Sequence, residues 1–212
     1  MNRVMRSLMT VSVAGLLGGC YVSLHPLVTD DVRVFEPKLV GTWESKDDKA
    51  DTWTFRPAGG ESPNRYDLEI VEDGHAAQFS GEMARLDGLL VLDLKLGDNE
   101  KQCGSLDNGW FKMHVVGVHS FMRVGLDGGT LKIELVDADW LDDAIEAKKV
   151  VIAHEHVDDD HNPHEGGAKD VHGSDDRKLL TAPTRELQAL VRAHGKSGLF
   201  DADEAGKFTR RR

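Results

Sequence analysis

Residues 65–96 read RYDLEIVEDGHAAQFSGEMARLDGLLVLDLKL, and two features of this stretch decide the fold. Apolar residues recur at every second position. Tyr66, Leu68 and Ile70 share a face opposite Asp67 and Glu69, and Leu90, Leu92 and Leu94 share one opposite Asp93 and Lys95. Successive side chains of a strand point to opposite faces, so this period predicts strands with one buried and one wet face. Between the runs stand Asp73-Gly74 and Asp87-Gly88, pairs that accept the positive φ angles of tight hairpin turns. The stretch therefore reads as consecutive antiparallel strands.

The same grammar extends in both directions. In Trp53-Thr54-Phe55 the aromatics point one way and the threonine the other; Leu131, Ile133 and Leu135 alternate with Lys132 and Glu134, preceded by Asp127-Gly128. Eight candidate strands result, near residues 39–46, 51–57, 65–72, 76–85, 88–95, 113–125, 130–137 and 150–157. Eight is about the number at which a closed barrel fills itself or holds one small ligand. The expected fold is all-β, an eight-stranded antiparallel up-and-down barrel, with Trp43, Trp53, Phe55, Leu68, Leu92 and Ile133 inside it or across its closed end. Residues Asp139 to Lys148 predict a short helix between the last two strands. Further on, Thr181 is placed to cap a C-terminal α-helix, Pro183 fits its first turn, Leu187, Leu190 and Val191 form an apolar stripe, and Gly195 ends it. The tail to Arg212 has too few apolar residues to assign.

The start of the chain is of another kind. Arg3 and Arg6 precede an apolar run from Leu8 to Leu17, followed by Gly18, Gly19 and Cys20. Such a run of about ten residues falls short of the roughly twenty needed to span a bilayer, and the whole pattern is that of a secretory signal peptide. Leu17-Gly18-Gly19-Cys20 resembles the lipobox of bacterial lipoproteins. That resemblance implies cleavage before Cys20, a diacylglycerol on its sulfur, and palmitate-type acyl chains holding the protein to a membrane of the cell envelope. Tyr21, a residue other than Asp after the cysteine, implies the periplasmic side of the outer membrane. The competing reading is an ordinary secreted protein with a cysteine at the cleavage site by chance.

The chain thus divides into a cleaved signal peptide (1–19), a lipidated tether (20–38), a β-barrel domain (39–157), a His/Asp-rich loop (158–178), and a C-terminal helix and tail (179–212). Loss of Arg3 and Arg6 with the signal moves the net charge from −11 to −13, and an acidic chain does not bind nucleic acid by default. Cys103 is then the one cysteine not committed to lipid, so no internal disulfide is expected.

Gly41-Thr42-Trp43, opening the first strand after an irregular leader, resembles the Gly-x-Trp signature of the lipocalins and related calycin barrels. The resemblance implies a tryptophan packed across the closed end and a helix after the last strand. The family's Thr-Asp-x-x-x-Tyr segment is absent; the arginine that stacks on the tryptophan has only Arg123 as a substitute. More broadly, Pro26-Leu27 through Phe35-Glu36-Pro37, Leu39 to Trp43, Asp139-Trp140-Leu141, and Leu180-Thr181 with Glu186-Leu187-Gln188 resemble a group of bacterial lipoproteins with a barrel of this kind. That likeness carries no activity with it.

The most unusual segment chemically is His154 to Asp176, with His154, His156, His161, His164 and His172 among eight acidic residues. Imidazole with carboxylate is a zinc-ligand set. His154 and His156 share a strand face, and His161-x-x-His164 can close around one ion, so these four are the candidate metal ligands; a solvated loop is the plain alternative. Enzyme signatures are broken or missing. In His154-Glu155-His156-Val157-Asp158 an aspartate stands where a zincin needs histidine, and His164-Glu165 fails the same way at Ala168. The EF-hand-like run from Asp201 to Gly206 has Ala205 in a ligand position. His114 and His119, five apart in one strand, lie on opposite faces, so one of them can enter the barrel. These features predict a lipid-anchored, non-enzymatic envelope protein whose barrel binds a small apolar ligand or an envelope protein, with zinc binding through the His-rich loop as the alternative.

Overall fold

The computed structural model describes residues 21–59, 64–97, 117–157 and 177–211. Residues 1–20, which carry the expected signal peptide and lipidation site, and also Cys103, His114, His161, His164 and His172, lie outside the described residues.

Strands β3 (Gly41–Ser45), β4 (Thr52–Pro57), β5 (Arg65–Glu72), β6 (His75–Leu86), β7 (Leu89–Leu96), β8 (His119–Asp127) and β9 (Thr130–Glu134) pair antiparallel with their neighbours in chain order. Their turns obey the expected chemistry. Asp73 and Gly74 have φ of 50° and 78°, and Asp87 and Gly88 of 48° and 85°, the paired positive angles that match the twist of a two-residue hairpin. The β8–β9 turn is centred one residue later than the sequence pattern suggests, on Gly128-Gly129, because Asp127 is still in register with Thr130.

The barrel is closed and eight-stranded, but its eighth strand is not the expected one. β12 (Gly206–Arg210), from the unassigned tail, lies between β9 and β3, with Phe208 opposite both Leu131 and Ser45. The segment expected to close the barrel instead forms β10 (His154–Val157). It pairs with β11 (Arg177–Leu180), which runs parallel to β1 (Tyr21–Ser23), and β1 joins the start of β8 through Ser23 and His119. β10 reads His-Glu-His-Val and offers the core little, whereas β12 delivers Phe208, which is only 8% exposed.

A second apolar core lies outside the barrel. α1 (Ala138–Glu146) starts on Asp137, whose carboxylate accepts a hydrogen bond from the Trp140 backbone at 2.8 Å. α2 (Thr184–His194) begins at Pro183 and ends at Gly195. Thr181 does not cap it; its backbone N–H is bonded to the carbonyl of Ala153 at 2.9 Å, so it still belongs to the strand end. Leu141, Leu187 and Val191 from these helices bury Leu86, Val91 and Phe121 on the outer face of β6–β8. Residues 21–38, expected to be a tether, also pack here, with Leu27 and Val28 buried and β2 (Arg33–Val34) paired to β6. The outer face of these strands is therefore not wet: Asp93, on the polar side of the alternation, is 4% exposed. Among the described residues no helix is long and apolar enough to cross a membrane.

Candidate ligand cavity

One end of the barrel is plugged. A 3₁₀ turn, Pro37–Leu39, crosses it, and the Trp43 indole N–H donates to the Leu39 carbonyl at 2.8 Å. The Arg210 guanidinium lies 4.9 Å from the centre of the Trp43 ring and donates to the Lys38 carbonyl. Gly41 has φ of 133°, and a Cβ there would come 3.2 Å from Arg210 Nη1. Glycine at the head of Gly-x-Trp thus serves both the backbone angle and the arginine's approach. Phe35 stacks on Tyr66 with centroids 4.9 Å apart, and Phe55 meets Tyr66 edge-on at 6.0 Å. The stacking cation is Arg210; Arg123, the substitute offered by the sequence, pairs with Glu134 at 3.2 Å instead.

The other end is open and holds a cavity of about 600 Å³. Its walls include Trp53, Ile70, Phe79, Met122, Ile133 and Phe208. Of the six residues expected inside, Trp43, Phe55, Leu68, Leu92 and Ile133 are buried, while Trp53 is half-buried because it faces this space, its ring 5.6 Å from Phe208. The cavity also has a lateral reach. β9 pairs with β8 only from Arg123 onward, and past Glu134 the chain turns away toward α1. Through this parting the cavity reaches Val136, Phe121 and Tyr21. Tyr21 is fixed there: its hydroxyl donates to Asp142, which also receives Lys178. Burial and then the adjacent carboxylate push the Tyr21 phenol far up, so it stays protonated. Burial alone would raise Asp142, but hydrogen bonds from Lys178 and Tyr21 hold its carboxyl below the usual range.

His119 points away from the barrel interior. Its Nδ1 is 2.8 Å from Asp93 Oδ1, while Asp93 Oδ2 accepts from the Leu27 backbone at 2.7 Å. The pair borders a shallow outer groove with Arg33 and Glu82, whose contact of 2.9 Å also ties the leader to the barrel. The network's visible work is to hold residues 24–34 in place.

Of the four proposed metal ligands, His154 and His156 stand side by side on β10 with ring centroids 5.9 Å apart, and His154 Nδ1 is 2.9 Å from the Ile152 carbonyl. Their expected companions His161 and His164 lie outside the described residues. Among the described residues no three His, Cys, Asp or Glu side chains gather as a metal site. Comparison of the chain with protein families, characterised proteins and solved structures finds no match.

Proposed function

We propose that the chain is a lipid-anchored envelope lipoprotein whose barrel holds one small apolar ligand. The observation that carries this reading is the contrast between the two ends: aromatic side chains and Arg210 fill one, and about 600 Å³ of apolar-walled space opens at the other. Pockets of about 300–1,000 Å³ are the usual size for small ligands. Arg210 over Trp43 also supports kinship with lipocalin-like barrels. The lipid address rests on the sequence at Cys20, and the next residue, Tyr21, borders the cavity, so a ligand leaving the bilayer beside the anchor has a short path to it.

Dodecanol titrated into the mature chain is expected to bind with one-to-one stoichiometry and to change the fluorescence of Trp53. Ala77→Trp, which puts an indole into the cavity, is expected to abolish binding while the melting temperature moves little. An unchanged titration in that variant would show the alcohol to be sitting elsewhere. For the address, Cys20→Ser is expected to release the protein from membranes, and native protein whose mass retains residues 1–19 or an unmodified Cys20 rules the anchor out.

A second reading, zinc binding through His154, His156, His161 and His164, is supported by the side-by-side rings of the first two. Imidazole must be neutral to ligate, so affinity is expected to be weaker in mildly acidic solution than at neutral pH. Calorimetric zinc titration at neutral and mildly acidic pH tests it, with the four-alanine variant as the comparison. Equally weak binding in both proteins eliminates it.

A further inference from the structure

The charge around the cavity selects among apolar ligands. Asp47 and Asp51 from the β3–β4 turn, Glu72 and Asp73 from the β5–β6 hairpin, and Glu204 before β12 all border it, with His75 among them. No Lys or Arg among the described residues lines it. The acidic turns are held together, since Asp51 Oδ1 accepts from the Asp73 backbone at 3.1 Å. Lys46 and Lys49 of the same β3–β4 turn and Lys207 on β12 are exposed at this end but contribute nothing to the lining. A ligand whose chain enters the barrel therefore leaves its head among five carboxylates.

From this we infer that the cavity takes an amphiphile with a cationic head, a protonated long-chain amine or its equivalent, and turns away fatty carboxylates. The inference rests on the proposed ligand-binding role and adds the chemistry of the head group. Walls such as Ile70, Phe79 and Met122 supply the non-directional part of the affinity and do not discriminate among heads. The rim does. An anionic head brought to it meets like charge, whereas an ammonium meets opposite charge without having to be buried, since Asp47, Glu72, Asp73 and Glu204 are themselves exposed. Each exposed pair is weak in water, but five acting on one head are expected to favour amine over alcohol about tenfold. The interaction is also long-ranged and so should be screened, because the Debye length shrinks from about 10 Å at 0.1 M salt to about 3 Å at 1 M.

Three ligands with one chain separate the terms: dodecylamine, dodecanol and dodecanoate, each titrated below its aggregation concentration into the mature chain at neutral pH. The expected order is amine, then alcohol, then carboxylate. The amine-to-alcohol ratio is expected to fall toward one at 1 M salt, and also in a variant carrying Asp47→Asn, Asp73→Asn and Glu204→Gln. Because each ratio is taken within one protein, a change in the fit of the chain itself cancels. Alcohol binding with no preference for amine, or with carboxylate tightest, overturns the inference and leaves the ligand-binding role standing. Failure of all three to bind overturns both.

Discussion

A chain ended after Ala205, lacking β12, is expected to lose cooperative thermal unfolding and to associate. Among the described residues β12 alone links β9 to β3 in the closed barrel, with Lys207, Phe208 and Thr209 in register with Lys132, Leu131 and Thr130 on one side, and Phe208 to Arg210 paired with Ser45 to Trp43 on the other. Its removal leaves two unpaired edges, the kind of surface that templates aggregation. Phe208 departs from the inner core and Arg210 from the face of Trp43. These losses together rival the whole stability of a domain, about 5–15 kcal/mol. Near-ultraviolet circular dichroism and size-exclusion chromatography of the truncated protein provide the check. A monomer melting within a few degrees of the full chain would mean that the barrel is held without closure.

Trp43→Ala is expected to be the most damaging single substitution in the inner core. The side chain is 2% exposed, donates a hydrogen bond to Leu39, and carries Arg210 on its face. Deleting a large buried aromatic costs about 3–5 kcal/mol; here the Arg210 cation–π contact is lost as well, worth about 0.5–1 kcal/mol where such a contact is exposed. Arg210→Ala removes the cation–π contact together with the hydrogen bond to the Lys38 carbonyl while leaving the indole in place, so the two variants compared by urea unfolding separate the loss of the indole from the loss of the arginine. Trp43→Phe, which keeps an aromatic but not the indole N–H, should fall between them. If Trp43→Ala unfolds at the same urea concentration as the parent, the tryptophan is not the plug that its contacts describe.

Much of the barrel was legible because it is local. The meander from β3 to β9 is built of neighbours in the chain, its alternation repeats every second residue, and pairs such as Asp73-Gly74 and Asp87-Gly88 mark where it reverses. Both helices were expected, the C-terminal one from the spacing of its apolar stripe Leu187, Leu190 and Val191. Where the alternation blurs, the sequence was ambiguous. Phe121 and Met122 are adjacent and both buried, one against the outer core and one inside the barrel, because β8 is covered on both faces. The same cover took Asp93 out of water and turned His119 to the outside.

Sequence by itself determined the hairpins with their turns, the apolar faces of β4 and β5, and the tryptophan at the head of the first barrel strand. Only the tertiary structure decided how the barrel closes, which cation covers Trp43, and where space is left over. The reason is the distance over which each is settled. β12 carries a single buried apolar residue, Phe208, too few for a period to be seen, and its partners lie more than a hundred residues away at β3 and across two helices at β9. The cavity belongs to no segment at all. It is the volume that Trp53, Phe79, Met122 and Phe208, from four different strands, fail to fill once Arg210 and Trp43 have closed the opposite end.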